Sequence, residues 1–304
     1  MKGRNSRALL TYFGFIGPGL LIYLFIVAYP IVYSVWLSFT DYNPNTGGIG
    51  NFVGFLQWKT MFEDPAFWHA FKNTMTVVSI SVFGQIPIGF ILAYILFRKM
   101  VRGEHFFQSM VFLPNFLSTI VIGTLWKRLV AADGPFSRLI QLTSGDPGAQ
   151  FDLMLDAGTI MIPIGSALIW MYTGLYMVIF LANLQKINNS LIEAAKIDGA
   201  SEIQIFLRVV VPLLAGSILV STILAIAGSL RGFDLIFAMT SPGLTRMNAE
   251  VLTIFMYRTA FQDYANPLRF AYGSAISNSI VVISVILIMF SNFVGKKVSP
   301  EEGA

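Results

Sequence analysis

Six stretches of this chain contain no Asp, Glu, Lys or Arg, and each is long enough to cross a bilayer as a helix: Ala8–Thr40, Asn73–Phe97, His105–Trp126, Ala157–Gln185, Val209–Leu230 and Phe270–Gly295. A spanning helix needs ~20 mostly apolar residues. In lipid every backbone N–H and C=O must be satisfied by the chain itself, which leaves helices or a closed barrel. These runs are continuously apolar and lack the alternation of barrel strands, so helices are the expectation. The fold class read from them is all-α integral membrane, with six transmembrane helices and both termini on one side. Composition agrees, since 55% of the 304 residues are hydrophobic and 12% are charged. That charged share is about half the ~25% of an ordinary soluble domain.

Lys2, Arg4 and Arg7 precede the first run, as they would in a signal peptide. The run far exceeds the ~7–15 residues of a signal core and no small-residue cleavage site follows, so an anchored helix is expected. Pro18 and Pro30 are read as its entry and a kink. Basic residues set the orientation. With the N-terminus inside, inner segments hold Lys2, Arg4, Arg7, Arg98, Lys99, Arg102, Lys186, Lys196, Arg208, Lys296 and Lys297. Longer outer segments hold Lys59, Lys72, Lys127, Arg128, Arg138, Arg246, Arg258 and Arg269, and one of them also carries Asp133, Asp146, Asp152 and Asp156. The denser inner basic charge predicts N-in, C-in. The basic residues flank apolar runs instead of forming a patch, which argues against a nucleic-acid partner. The chain has no cysteine, excluding disulfides and thiolate metal sites.

Residues 1–72 are expected to form an anchor helix and an outer interfacial segment. The latter pairs a turn-rich stretch (NPNTGGIGN) with an aromatic surface helix holding Trp58 and Trp68. Residues 73–295 form the transmembrane core and 296–304 a short tail. Small residues at Gly165–Ala167, Ala215–Ser217 and Gly273–Ala275 suit close helix packing, and Asn278 is read as an amide joining helices.

The connector at 186–212 is unlike a simple turn. Ser190-Leu-Ile-Glu193 reads as a capping box opening a short helix that Gly199 ends in a left-handed cap, and Ser201-Glu-Ile-Gln204 starts a second helix running toward Pro212. Ile192, Ala195, Ile203, Phe206 and Leu207 leave apolar surface on this elbow. Glu193-Ala194-Ala195, Gly199 and Val209-Val210-Val211-Pro212 resemble the cytoplasmic coupling-loop signature of ABC importer permeases, and Asp198-Gly199-Ala200 with Phe206 resembles its carbohydrate-uptake branch. The resemblance implies a type I ABC importer permease fold in a bacterial or archaeal plasma membrane. It implies half of a heterodimeric pore with a second homologous permease, two cytoplasmic ATPase subunits and an extracellular solute-binding protein that delivers a sugar. Coupling would fall to Glu193, Ala194, Ala195, Asp198, Gly199, Ala200, Phe206 and Pro212. Substrate positions would be Trp170, Tyr172, Thr173 and Tyr176 on the fourth run and Ser229 on the fifth.

Arg231 and Asp234 stand three apart in GSLRGFDLIFAMT, a spacing that predicts one helical face. Charges at membrane depth usually face a cavity or each other, so this pair is either a substrate contact or a structural ion pair. No GxxxxGK[ST] loop or HExxH motif is present and the two histidines, His69 and His105, are far apart, so catalytic residues, a metal and a cofactor are not expected, and any ATP would be bound by a partner. An ion-gradient transporter relaying through Arg231 and Asp234 is the alternative, but no inverted halves are visible. A membrane-embedded enzyme lacks the clustered side chains it needs.

Overall fold

The computed structural model describes residues 14–46, 48–144, 153–154, 158–240 and 247–298, with only backbone for 296–298. Lys2, Arg4, Arg7, Asp146, Asp152, Asp156 and Arg246 lie outside the described residues. The described chain is helical; its isolated β pairing is Thr40 with Phe52.

Four helices are long and apolar enough to cross a membrane: α1 (Gly14–Leu37), α3 (Pro65–Phe97), α7 (Met161–Leu184) and α13 (Arg269–Val298). Two bent pairs raise the number to six if each counts as one span. The first joins α4 (Glu104–Phe116) to α5 (Thr119–Val130) and α6 (Pro135–Ser144) across a 98° bend, and the second joins α9 (Glu202–Leu213) to α10 (Ala215–Arg231) across 73°. The third charge-free run is therefore a bent element, a correction to the straight helix expected. Pro114 cannot donate to the ladder, and Leu117 and Ser118 carry extended ψ values of 149° and 128°.

The aromatic segment that holds Trp58 and Trp68 also differs from expectation. It is split at Asp64, where α2 (Leu56–Glu63) ends with an extended residue. Pro65 then opens α3, so His69 and Lys72 belong to the same helix as the second apolar run. Pro is well placed at a first helical position, where its missing N–H costs nothing.

Three helices, α1, α3 and α9, share one irregularity. π turns occupy Leu24–Ala28, Ser81–Gln85 and Phe206–Val210, and Pro30, Pro87 and Pro212 each follow two residues later. At each, the residue before the proline donates five back, Tyr29 to Leu24, Ile86 to Ser81 and Val211 to Phe206. The proline ring would clash with the carbonyl four residues back, and the wider turn moves that carbonyl aside.

The chain divides into two compact units, Met1–Pro65 with Met256–Ile280, and Ala66–Phe255 with Val281–Ala304. In the first, Phe39 gathers Phe52, Phe55 and Trp58, whose indole donates to Ser38 Oγ at 3.4 Å. Asn278 Nδ2 donates to Ser34 O at 3.1 Å and to Ser274 O at 2.9 Å, joining α13 to α1 as an amide in an apolar setting should. In the second unit α3 and α7 pack so closely that a Cβ on Gly89 would stand 2.8 Å from Tyr176 Cβ and 3.0 Å from Thr173 O. Two apolar cores result, one around Ile164, Ile122 and Met239, the other around Phe90, Phe180 and Ile205.

Candidate functional site

The connector is a two-helix elbow. α8 (Asn189–Ile197) is capped by Asn188, whose side chain accepts from the Ser190 amide at 3.1 Å. The cap thus sits two residues earlier than the Ser190–Glu193 box predicts; Asn188 adopts the extended backbone a cap requires, and Ser190 is already helical. At the other end the Gly199 amide donates to Lys196 O and the Ala200 amide to Ala195 O, both at 3.0 Å, with Gly199 at φ +80°. This is a Schellman ending, and glycine supplies its left-handed residue at least cost. The Ser201–Gln204 box forms in both directions: the Ser201 amide donates to Gln204 Oε1 at 2.8 Å, and the Gln204 amide to Ser201 Oγ at 3.4 Å.

The elbow is fastened to the end of α3. Arg98 Nε donates to Glu202 Oε2 at 3.0 Å, Arg98 Nη2 reaches Glu202 Oε1, the Tyr94 hydroxyl donates to Oε2 at 2.8 Å and Lys196 Nζ lies 3.5 Å from Oε1. The guanidinium's hydrogen bonds, helped by the tyrosine hydroxyl and the two positive charges, hold the Glu202 carboxyl down at about 2. The same carboxylate raises Arg98 above its ordinary value. Sequence reading treats Arg98 only as a flanking cation and passes over Glu202; its one signal is an acid just inside a helix start.

Of the positions assigned to coupling, Glu193, Ala194, Asp198, Gly199 and Pro212 are exposed, and Ala195 and Ala200 are partly buried. Phe206 faces inward, its ring 5.0 Å from that of Phe90 and 4.9 Å from that of Tyr94. Ile192 is buried, whereas Ile197 and Ile203 are 86% and 71% exposed. The elbow therefore roots itself through one apolar face and leaves another open.

A cavity of about 360 Å³ lies among α3, α7, α10 and the start of α11 (Asp234–Met239). Tyr172, Tyr176, Ser229, Arg231 and Asp234 line it together, joined by Ser81, Gln85 and Phe233. Ser229 Oγ donates to Ser81 Oγ at 2.8 Å, and Gln85 Nε2 donates to Leu168 O at 3.2 Å. Ser81 and Gln85 bound the π turn of α3, a displacement that no spacing in the sequence announces. Trp170 and Thr173 lie elsewhere. Trp170 stacks on Trp126 at 5.4 Å, and Thr173 is buried at the α3–α7 crossing.

Arg231 and Asp234 do not share a helical face, which corrects the expectation. α10 ends at Arg231, Gly232 is extended with ψ 107°, and Asp234 opens a new helix. Thr253 Oγ1, on α12 (Leu252–Phe261), donates to Gly232 O at 2.9 Å and pins the break. Arg231 Nε donates to Ala227 O at 3.1 Å, back onto the carbonyls at its own helix end. Each charge suits its helix terminus, cation at the C-end and acid at the N-end. Among the described residues no ion pair joins them, so the same-face relay of the ion-gradient alternative is not formed.

Residues 85–300 match the family described as binding-protein-dependent transport system inner membrane component. A probable ABC transporter permease protein of Pyrococcus horikoshii is 31% identical over 289 residues, covering 94% of this chain and 96% of that one. The lactose transport system permease protein LacF of Rhizobium radiobacter is 29% identical, covering 90% of each chain. A probable starch degradation products transport system permease, AmyD of Thermoanaerobacterium thermosulfurigenes, is 30% identical and covers 94% of this chain and 95% of that one. In shape the chain is similar to one from a bacterial alginate ABC transporter crystallised with its alginate pentasaccharide-bound periplasmic protein. The TM-score is 0.82 over 98% of both chains at 22% identity, a likeness of fold.

Proposed function

The chain belongs to the family of binding-protein-dependent transport system inner membrane components, and from that premise we propose that it is the permease of a sugar importer whose 186–212 elbow is driven by a separate ATPase. It is a transport subunit, not an enzyme. Its relatives are named for lactose and for starch degradation products, which supports a sugar cargo. Six crossings with N-in, C-in orientation, a second permease completing the pore, two cytoplasmic ATPase subunits holding the ATP, and an extracellular binding protein complete the reading. Residues 1–72 would then anchor the subunit beside the 73–295 core.

The observation that carries the reading is the elbow. It is a rigid body, closed by a Schellman ending and a capping box, bolted to α3 through Arg98 and Glu202, and it leaves Ile197 and Ile203 uncovered. A partner that grips this surface moves α3 and α10 together, a lever arrangement for turning a cavity from one side to the other. In the cavity, Tyr172 and Tyr176 offer ring faces to a sugar's apolar side, and Ser81, Gln85, Ser229, Arg231 and Asp234 offer hydrogen bonds to hydroxyl edges.

Because the chain has no cysteine, a single one placed at Ala194 or Ala195 is unique. In membranes holding the whole transporter, with a second cysteine placed in the ATPase subunit to supply the other thiol, oxidative disulfide crosslinking between the two is the expected result, and its yield should change with ATP. Crosslinks that never reach a nucleotide-hydrolysing subunit would overturn the reading.

A further inference from the structure

The elbow's partner on α3 continues into a second helix ending with the same geometry and an unexpected residue. The Lys99 amide donates to Leu96 O at 3.0 Å and the Met100 amide to Ile95 O at 3.1 Å, a Schellman ending like that at Gly199. Here the left-handed position, φ +52°, is held by Lys99, the sole non-glycine residue with positive φ among the described residues. Left-handed backbone is uncommon for a residue that carries a side chain, and such outliers gather at binding sites.

Lys99 borders a cavity of about 380 Å³ between the ends of α3, α4, α7 and α8, together with Arg98, Glu104, His105, Gln108 and Asn189. Among the described residues Lys99 has no ion-pair partner, and Glu104 is the one acid in the lining. Nearby, Met100, Phe106 and Met110 are 51%, 72% and 63% exposed, an apolar fringe next to the basic run Arg98-Lys99-Met100-Val101-Arg102. Basic groups beside an exposed apolar fringe fit a phospholipid: phosphodiester at the cations, acyl chains along the fringe.

We propose that this cavity binds the headgroup of an anionic phospholipid of the inner leaflet, and that the bound lipid steadies the Arg98–Glu202 clamp and so the elbow. The chemistry recognised is a phosphate-like anion, and the apolar fringe assigns it to a lipid in preference to a soluble phosphate. The proposal rests on the inward orientation of the connector argued above.

The test uses the complete transporter in vesicles of phosphatidylcholine alone or with phosphatidylglycerol added. Substrate-stimulated ATP hydrolysis should rise several-fold with phosphatidylglycerol. Lys99→Gly removes the cation at a backbone position that glycine prefers, so it should fold as well as wild type yet lose most of that rise. Lys59→Gln, on an exposed helix face that does not line this cavity, should keep it. Equal lipid dependence in wild type and Lys99→Gly overturns the site, as does an equal loss in Lys59→Gln. Inorganic phosphate that replaces phosphatidylglycerol in neutral vesicles overturns the lipid source. Labelling of a cysteine at Lys99 from outside would instead refute the orientation itself, so the two failures are distinguishable.

Discussion

Gly199 and Glu202 do different jobs in one elbow. A Cβ on Gly199 would meet nothing within 4 Å, but the backbone there is left-handed at φ +80°. Gly199→Ala should therefore cost roughly 1–2 kcal/mol of local strain without a clash inside the subunit. We expect normal membrane insertion, measured by carbonate extraction, with sugar uptake reduced through the altered docking surface. Glu202 is the anchor of the clamp, and Glu202→Gln should leave the subunit inserted, make the elbow more sensitive to protease and lower ATP-driven uptake several-fold. Its pH behaviour follows from the sign of its shift. A carboxyl held down at about 2 contributes stability that is complete above the ordinary carboxylate pKa and is lost as pH falls through that range toward 2. Protease sensitivity of the elbow should accordingly be flat from neutral to mildly acidic pH, and an increase near pH ~6, where histidine titrates, would count against the clamp.

Between helices, the α3–α7 crossing is a close contact that a single substitution can probe. Gly89→Leu would place side-chain atoms where Tyr176 and the backbone of Thr173 and Met177 already stand. Overpacking of this kind costs about 1–3 kcal/mol, and a lower melting temperature of the detergent-solubilised transporter is expected. The helices themselves were legible because apolar run length and charge exclusion are properties of single segments. So were Gly199 and the Ser201–Gln204 box, whose hydrogen bonds close within five residues. What escaped the sequence was set by geometry at breaks. Phe233 takes φ −120°, ψ −54° and ends the periodicity that seemed to unite Arg231 with Asp234. The bend at Leu117–Ser118 interrupts an unbroken apolar run, and the cavity gains Ser81 and Gln85 through a π turn. The Arg98–Glu202 clamp joins positions too distant in sequence for any local pattern to connect.

For the whole subunit, sidedness is the property on which coupling depends. Single cysteines at Ala194 and at Asn51 should react with an impermeant maleimide on opposite faces of the membrane, Ala194 only after the cell is opened. Both positions are exposed in the subunit itself, so labelling in cells that make the subunit without its ATPase reports sidedness and not burial. The three proline-marked turns carry a consequence for how such subunits vary in length. Each holds one residue beyond what a regular helix of that rise requires. Excising a residue from 24–28, 81–85 or 206–210, along with replacement of Pro30, Pro87 or Pro212, would rewind the helix locally. A deletion anywhere else in a crossing turns every later side chain by about 100°. Insertions and deletions among kindred chains should therefore collect at these three places.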